Sequence, residues 1–135
     1  MARQIFVNLP TKNLPKSKEF FTKLGFEFNA QFTNDDGACM VVSDTIFVML
    51  LTETFFKTFT KKKIADATET TEVIMAISAD SRSAVDEMVK KALNAGGKKS
   101  NEPQDYGWMY SCSFQDLDGH LWEVLYADES AIPQT

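Results

Sequence analysis

The strongest constraint on the fold is a pattern of apolar and turn residues that runs through the chain twice. Residues 4–9 form an apolar run of strand length closed by Pro10, and Thr11 to Pro15 make a polar connection with Asn13 as a turn residue. From about Ser17, Phe20, Phe21 and Leu24 recur at helical spacing, and Gly25 stands where a C-terminal cap belongs. Phe26, Phe28 and Ala30 alternate with polar residues, as in a strand. The turn Asn34-Asp35-Asp36-Gly37 precedes a strand over Ala38–Val42, and Ser43-Asp44 precedes another over Ile46–Leu51. The order is β-α-β-β-β.

The same order returns after residue 70. Glu72–Ile77 reads as a strand, and Ala79-Asp80-Ser81 opens a helix whose apolar face is Val85, Met88, Val89 and Ala92, ended by Gly96-Gly97. Lys98–Gln104 holds a weak strand limited by Pro103, which suits an edge. Trp108–Phe114, the turn Asp116-Leu117-Asp118-Gly119, and His120–Tyr126 complete the repeat. Neither module can close a core alone, whereas two can curl their sheets around a shared cavity with a helix outside each. The expected fold is therefore α+β, two βαβββ modules forming an eight-stranded, cup-shaped mixed sheet. The 135 residues suit a single domain, with module one over about 1–52, a connecting segment over about 53–70 and module two over about 71–127.

The connecting segment breaks the pattern. Phe55, Phe56 and Phe59 are spaced like one buried face of a short helix, and they suit a lid. The lysine run 61–63 reads as a solvated face, with an anion-binding patch as the alternative.

Charge excludes some partners. With 14 Lys+Arg against 19 Asp+Glu the net charge is −5, so no nucleic acid and no anionic membrane surface is expected. No apolar run nears the ~20 residues of a membrane helix, and no secretory leader pattern opens the chain. Cys39 and Cys112 both sit in apolar strand-like runs and read as buried thiols, with a zinc or redox pair as the alternative. The expected location is cytoplasmic.

Two segments carry a family resemblance over nearly the whole chain. Asn13-Leu14-Pro15-Lys16-Ser17 with Phe20-Phe21 and Leu24-Gly25-Phe26 resembles the opening of the vicinal oxygen chelate superfamily. That group includes glyoxalase I, extradiol dioxygenases, and bleomycin and fosfomycin resistance proteins. Phe114-Gln115-Asp116-Leu117-Asp118-Gly119-His120-Leu121-Trp122-Glu123 resembles its closing signature. The subgroup it is most similar to is the bacterial glyoxalase-like, or lactoylglutathione lyase-like, proteins.

The resemblance implies a divalent metal (Mg, Mn, Ni or Zn) in the cavity, held by the first and last strands of each module. Open coordination positions would bind two neighbouring substrate oxygens. Carried over residue by residue, the resemblance puts Glu123 on the final ligand, as catalytic and metal-binding residue, and puts Phe6 on the first-strand ligand. It places Val48, with Met49 one residue off, opposite Glu123, and Glu72 or Val73 on the fifth strand. Only Glu123 and Glu72 are hard-metal donors in that set, so the expectation is no cofactor through the standard four-ligand site, with a metal held by Glu123 and Glu72 and completed by water or substrate as the alternative.

Asn8 shares a strand face with Phe6, and Phe6, Asn8, Glu72, Trp108 and Tyr110 are the expected cavity lining. Tyr106, Trp122, Met40, Met49, Met75 and Met109 are either core or additional lining. His120, the single histidine, is structural or an acid/base; its odd spacing from Glu123 points it the other way. The implied protein binds a small organic molecule in an aromatic cavity as a lyase-like enzyme with an incomplete metal site, or binds it without metal, as resistance proteins sequester antibiotics. The resemblance also implies a homodimer.

Overall fold

The computed structural model describes residues 2–133. The chain divides into two compact units, the first running to Asp66 and the second beginning at Ala67. The first unit has the βαβββ order, the second has it with the strand after its helix split in two, and the fold is α+β as expected.

The first unit contains β1 (Ile5–Thr11), α1 (Leu14–Lys23), β2 (Glu27–Phe28), β3 (Gly37–Val41), β4 (Ile46–Thr52) and the short α2 (Glu53–Phe56). Its sheet has the order β1-β4-β3-β2, with β1 parallel to β4 and the other pairs antiparallel. The second unit contains β5 (Ile74–Ser78), α3 (Arg82–Asn94), β6 (Lys98–Lys99), β7 (Gln104–Asp105), β8 (Met109–Gln115) and β9 (Leu121–Ala127). Its order is β5-β9-β8-β6, with β7 also on β8 and β5 parallel to β9.

The two long helices are built by the same local chemistry. The Asn13 side chain accepts the Lys16 N–H at 3.1 Å and the Ser81 hydroxyl accepts that of Ala84 at 3.1 Å, so each caps its helix three residues in. The end of the polar connection expected over Thr11–Pro15 is therefore the start of α1, with Asn13 as cap and Pro15 where a missing N–H costs nothing. Gly25 and Gly96 end the helices at φ +104 and +108. The next residues return N–H bonds to Phe21 and Ala92, which satisfies carbonyls the helix leaves open.

Several boundaries differ from the sequence reading. β1 continues through Pro10 to Thr11, because β1 lies at the edge of its sheet and a proline there loses no ladder bond on the outer side. The strand expected through Ala30 stops at Phe28. The Asn29 side chain accepts the Gln31 N–H and turns residues 30–32 into a short 3₁₀ segment. The weak strand over Lys98–Gln104 is split into β6 and β7, giving nine strands rather than eight. Phe59 is 69% exposed, so the expected buried face of three phenylalanines reduces to half-buried Phe55 and Phe56. Lys61–Lys63 are exposed and both cysteines are buried and free, in line with the readings given first.

Each unit buries one sheet face under its long helix. In the first unit Leu9, Thr11, Ala38, Met40, Val48 and Leu50 are buried on the α1 side, and the Thr11 and Ser17 hydroxyls bond at 2.7 Å. In the second, Phe114, Trp122 and Val124 are fully buried on the α3 side. Phe114 and Trp122 stack in parallel at 6.2 Å, and Trp122 Nε1 donates to Asp116 at 3.0 Å. Truncating either ring costs about 3–5 kcal/mol.

Candidate functional site

Strand alternation decides which side chains share the face turned away from each helix. In the first unit that face carries Phe6, Asn8, Phe47, Met49 and Cys39. The Phe6 and Phe47 rings stack at 5.0 Å and 12°, Phe6 is half-exposed, and Asn8 is exposed beside Met49. Phe6 and Asn8 thus do share a face.

In the second unit the corresponding face carries Glu123 on β9, a strand with neighbours on both sides. Ser113 lies directly across on β8 and Ala76 directly across on β5. Ser111 and Gln115 are its diagonal neighbours on β8, at about 7–8 Å. Ser111 and Ser113 are buried, Glu123 is half-buried, and Ala76 is exposed. The Ser113 hydroxyl accepts the Asn101 N–H at 2.8 Å. The Glu123 side chain forms no hydrogen bond or ion pair with any described residue, so its carboxylate is available.

The shared helix caps fix the correspondence between units. Counting back from Asn13 and from Ser81 makes Phe6 equivalent to Ile74 and Asn8 equivalent to Ala76. The parallel registers Asn8↔Met49 and Ala76↔Glu123 then make Met49 the counterpart of Glu123. Val48, read from sequence as that counterpart, instead points under α1 at 1% exposure. Glu72 is not in β5. It lies two residues before it, exposed, and the residue beside Glu123 is Ala76. The two carboxylates are therefore four residues, or about 13 Å of extended chain, out of step.

Tyr110 lies on the opposite face from Glu123. Its hydroxyl donates to Asp86 of α3 at 2.5 Å and its ring lies beneath Arg82 at 5.0 Å. The bond to Asp86 holds the phenol proton and pushes its pKa well above the usual range, with Cys112 adding to the effect. Trp108 precedes β8 in a turn, half-buried, and its carbonyl accepts the Asp128 N–H. Neither residue is brought to Glu123 by strand pairing.

A cluster not singled out from sequence is Asp116, Asp118 and His120, whose ligand atoms lie within 4.8 Å of one another. Its geometry is that of a turn. One Asp116 oxygen accepts the N–H groups of Asp118 and His120 at 3.0 Å each, and the other accepts the Trp122 indole. The aspartate three residues before a glycine was the available signal, since such side chains close turns on their own backbone. Burial raises the Asp116 pKa against the pull of His120 and Trp122.

The donor set does not fit a hard divalent ion at the family's ligand positions. Moved into the observed register, the positions that the resemblance assigns to the metal are Phe6, Met49, Ile74 and Glu123, and only the last offers a carboxylate.

Comparison with solved structures agrees with this architecture. Hypothetical protein SA1046 from S. aureus is 28% identical over 94% of this chain and 95% of its own, with a TM-score of 0.79. A glyoxalase/bleomycin resistance protein/dioxygenase family enzyme from Burkholderia phytofirmans PsJN is 14% identical, covering 93% and 99%, at 0.76. The fosfomycin resistance protein FosX from Listeria monocytogenes is 17% identical, covering 94% of each chain, at 0.67. No protein of curated function matches the sequence. The family profile of the Glyoxalase/Bleomycin resistance protein/Dioxygenase superfamily matches residues 3–124, and the chain belongs to that superfamily.

Proposed function

We propose that this protein binds a small organic molecule directly through side chains on its helix-free sheet faces, without a resident divalent metal. The observation that carries this reading is the donor set: three of the four positions that would hold a metal are Phe6, Met49 and Ile74. Glu123 remains as an unpaired carboxylate that a ligand can engage itself. The stacked Phe6–Phe47 pair, with Asn8 near it, offers an aromatic platform on the first unit.

Thermal melts test this. EDTA-stripped protein is titrated with Mg²⁺, Mn²⁺, Ni²⁺ and Zn²⁺, then with a panel of aromatic small molecules, in the wild type and in Glu123→Gln. A ligand that binds only the native state raises the melting temperature. The expected result is a rise with panel compounds and none with metals. A metal-dependent rise that disappears in Glu123→Gln refutes the reading and restores a lyase-like metal site. The family resemblance also implies a homodimer, which a native mass near the 15.2 kDa of one chain refutes.

A further inference from the structure

We infer that the ligand presents a protonated amine to Glu123, with Ser111 as a second, specificity-determining contact. The inference rests on the reading that the chain binds a small molecule directly, and it names the chemistry of that molecule.

Three observations converge. Glu123 is a half-buried carboxylate in an interior strand, yet among the described residues it has no hydrogen-bond or ionic partner. A carboxylate without a partner in its own fold is open to a charge-assisted hydrogen bond from a cation arriving from solution. Among the described residues no Lys or Arg of the unit forms an ion pair with Glu123. On this face the cationic strand position is Lys98, in register with Gln115, two strands from β9 and about 10 Å away by strand spacing. Arg82 is engaged by Asp105 through two hydrogen bonds of 2.8 and 2.9 Å.

The second observation is Ser111. It is 5% exposed, and its hydroxyl has no hydrogen-bond partner among the described residues. Among the described residues no fully buried side-chain oxygen lacks a partner, so this hydroxyl reaches an accessible surface. It shares the Glu123 face, one diagonal step along the ladder. An ammonium has three donors. The carboxylate and the hydroxyl oxygen accept two of them from adjacent strands.

The third is room. Ala76 places only a methyl group beside Glu123 on β5 and is exposed, so the carboxylate is not screened on that flank. Ser113, on the other flank, is already tied to Asn101. The net charge of −5 adds a long-range attraction for a cation.

The test uses three matched probes on the full ¹⁵N-labelled chain: benzylammonium, neutral benzyl alcohol and anionic phenylacetate. Amide shifts of Ser111, Ser113 and Glu123 are followed by NMR. Benzylammonium is expected to bind about tenfold more tightly than benzyl alcohol, the effect of one charge-assisted hydrogen bond. Glu123→Gln should bring benzylammonium down to the affinity of benzyl alcohol, and Ser111→Ala should weaken benzylammonium about threefold. The amide spectrum of each variant reports its fold in the same experiment. If the alcohol or the anion perturbs these amides as tightly as the amine, the assignment of an ammonium falls and direct small-molecule binding stands. If none of the three perturbs them, both fall.

Discussion

Replacing Gly119 by alanine should destabilise the protein by an amount the structure lets one divide into two parts. Gly119 sits at φ +90 in the turn that launches β9. A residue with a Cβ pays about 1–2 kcal/mol for that left-handed conformation. The added Cβ would also lie 2.9 Å from the carbonyl oxygen of Ala67 and 3.0 Å from the Thr68 Cα, closer than real Cβ atoms come. Both neighbours are backbone, so the segment at Ala67–Thr68 must move as a piece, and overpacking of this kind costs about 1–3 kcal/mol. The total is about 2–5 kcal/mol, or very roughly 10–20 °C in melting temperature for a chain of this size. Gly25→Ala is the control. Its φ is +104, yet nothing lies within 4 Å of the added methyl, so it carries the conformational cost alone. Alanine also narrows the unfolded ensemble equally in both variants, and that effect cancels in the comparison. Equilibrium denaturation followed by tryptophan fluorescence should place Gly119→Ala about 1–3 kcal/mol below Gly25→Ala. Equal destabilisation would sink the argument that the Ala67–Thr68 segment is pressed against the turn.

Other expectations follow from buried and paired groups. Asp116→Asn should cost about 1–3 kcal/mol, since an amide cannot offer two acceptor oxygens to three donors. Burial raises the wild-type Asp116 pKa, so its native state takes up a proton more readily than the unfolded chain. Its contribution to stability therefore grows as pH falls through the raised value toward the ordinary one, and melts at several pH values should show that slope vanish in Asp116→Asn. The hydrogen bond from Arg82, then that from the Gly107 N–H, lowers the Asp105 pKa to about 2. The stabilisation linked to it is present above the ordinary carboxylate range and is lost as pH falls toward 2; an NMR titration should find that midpoint and see it rise in Arg82→Gln. Burial pushes both thiols up, so Cys39 and Cys112 should resist a thiol reagent in native protein and react as two equivalents once unfolded.

Much of the fold was legible because local signals repeated. The Leu24-Gly25 and Gly96-Gly97 stops, the Asn34–Gly37 turn and the apolar runs of β4 and β9 each specify their element with little tertiary help. What the sequence hid was register. Val48 and Met49 are both apolar, and only the parallel pairing with β1 shows which of them turns away from α1. A two-residue boundary error placed Glu72 in a strand that begins at Ile74. Tyr110 misled for a different reason. Its strand alternates aromatics and small polar residues, so both faces read as cavity-like until α3 is seen to bring Asp86 and Arg82 over one of them. Ser111 gave no signal at all, because a serine in a strand is unremarkable until its neighbours leave it unpartnered.

The parallel pairs β1–β4 and β5–β9 also govern when each unit can come into being. The first strand of a unit has no ladder partner among the elements that separate it from the unit's last strand. It waits for the last strand, as Ile74 waits for Leu121. On a ribosome the first strand and helix emerge with nothing to dock on, and the hairpin β8–β9 must arrive before β5 can be captured. Such long-range closure slows folding and leaves an apolar edge uncovered meanwhile. Each half of the nascent chain is thus exposed to chaperones and to misassembly until its final strand is made, and the turn at Gly119 is the last piece synthesised before that closure.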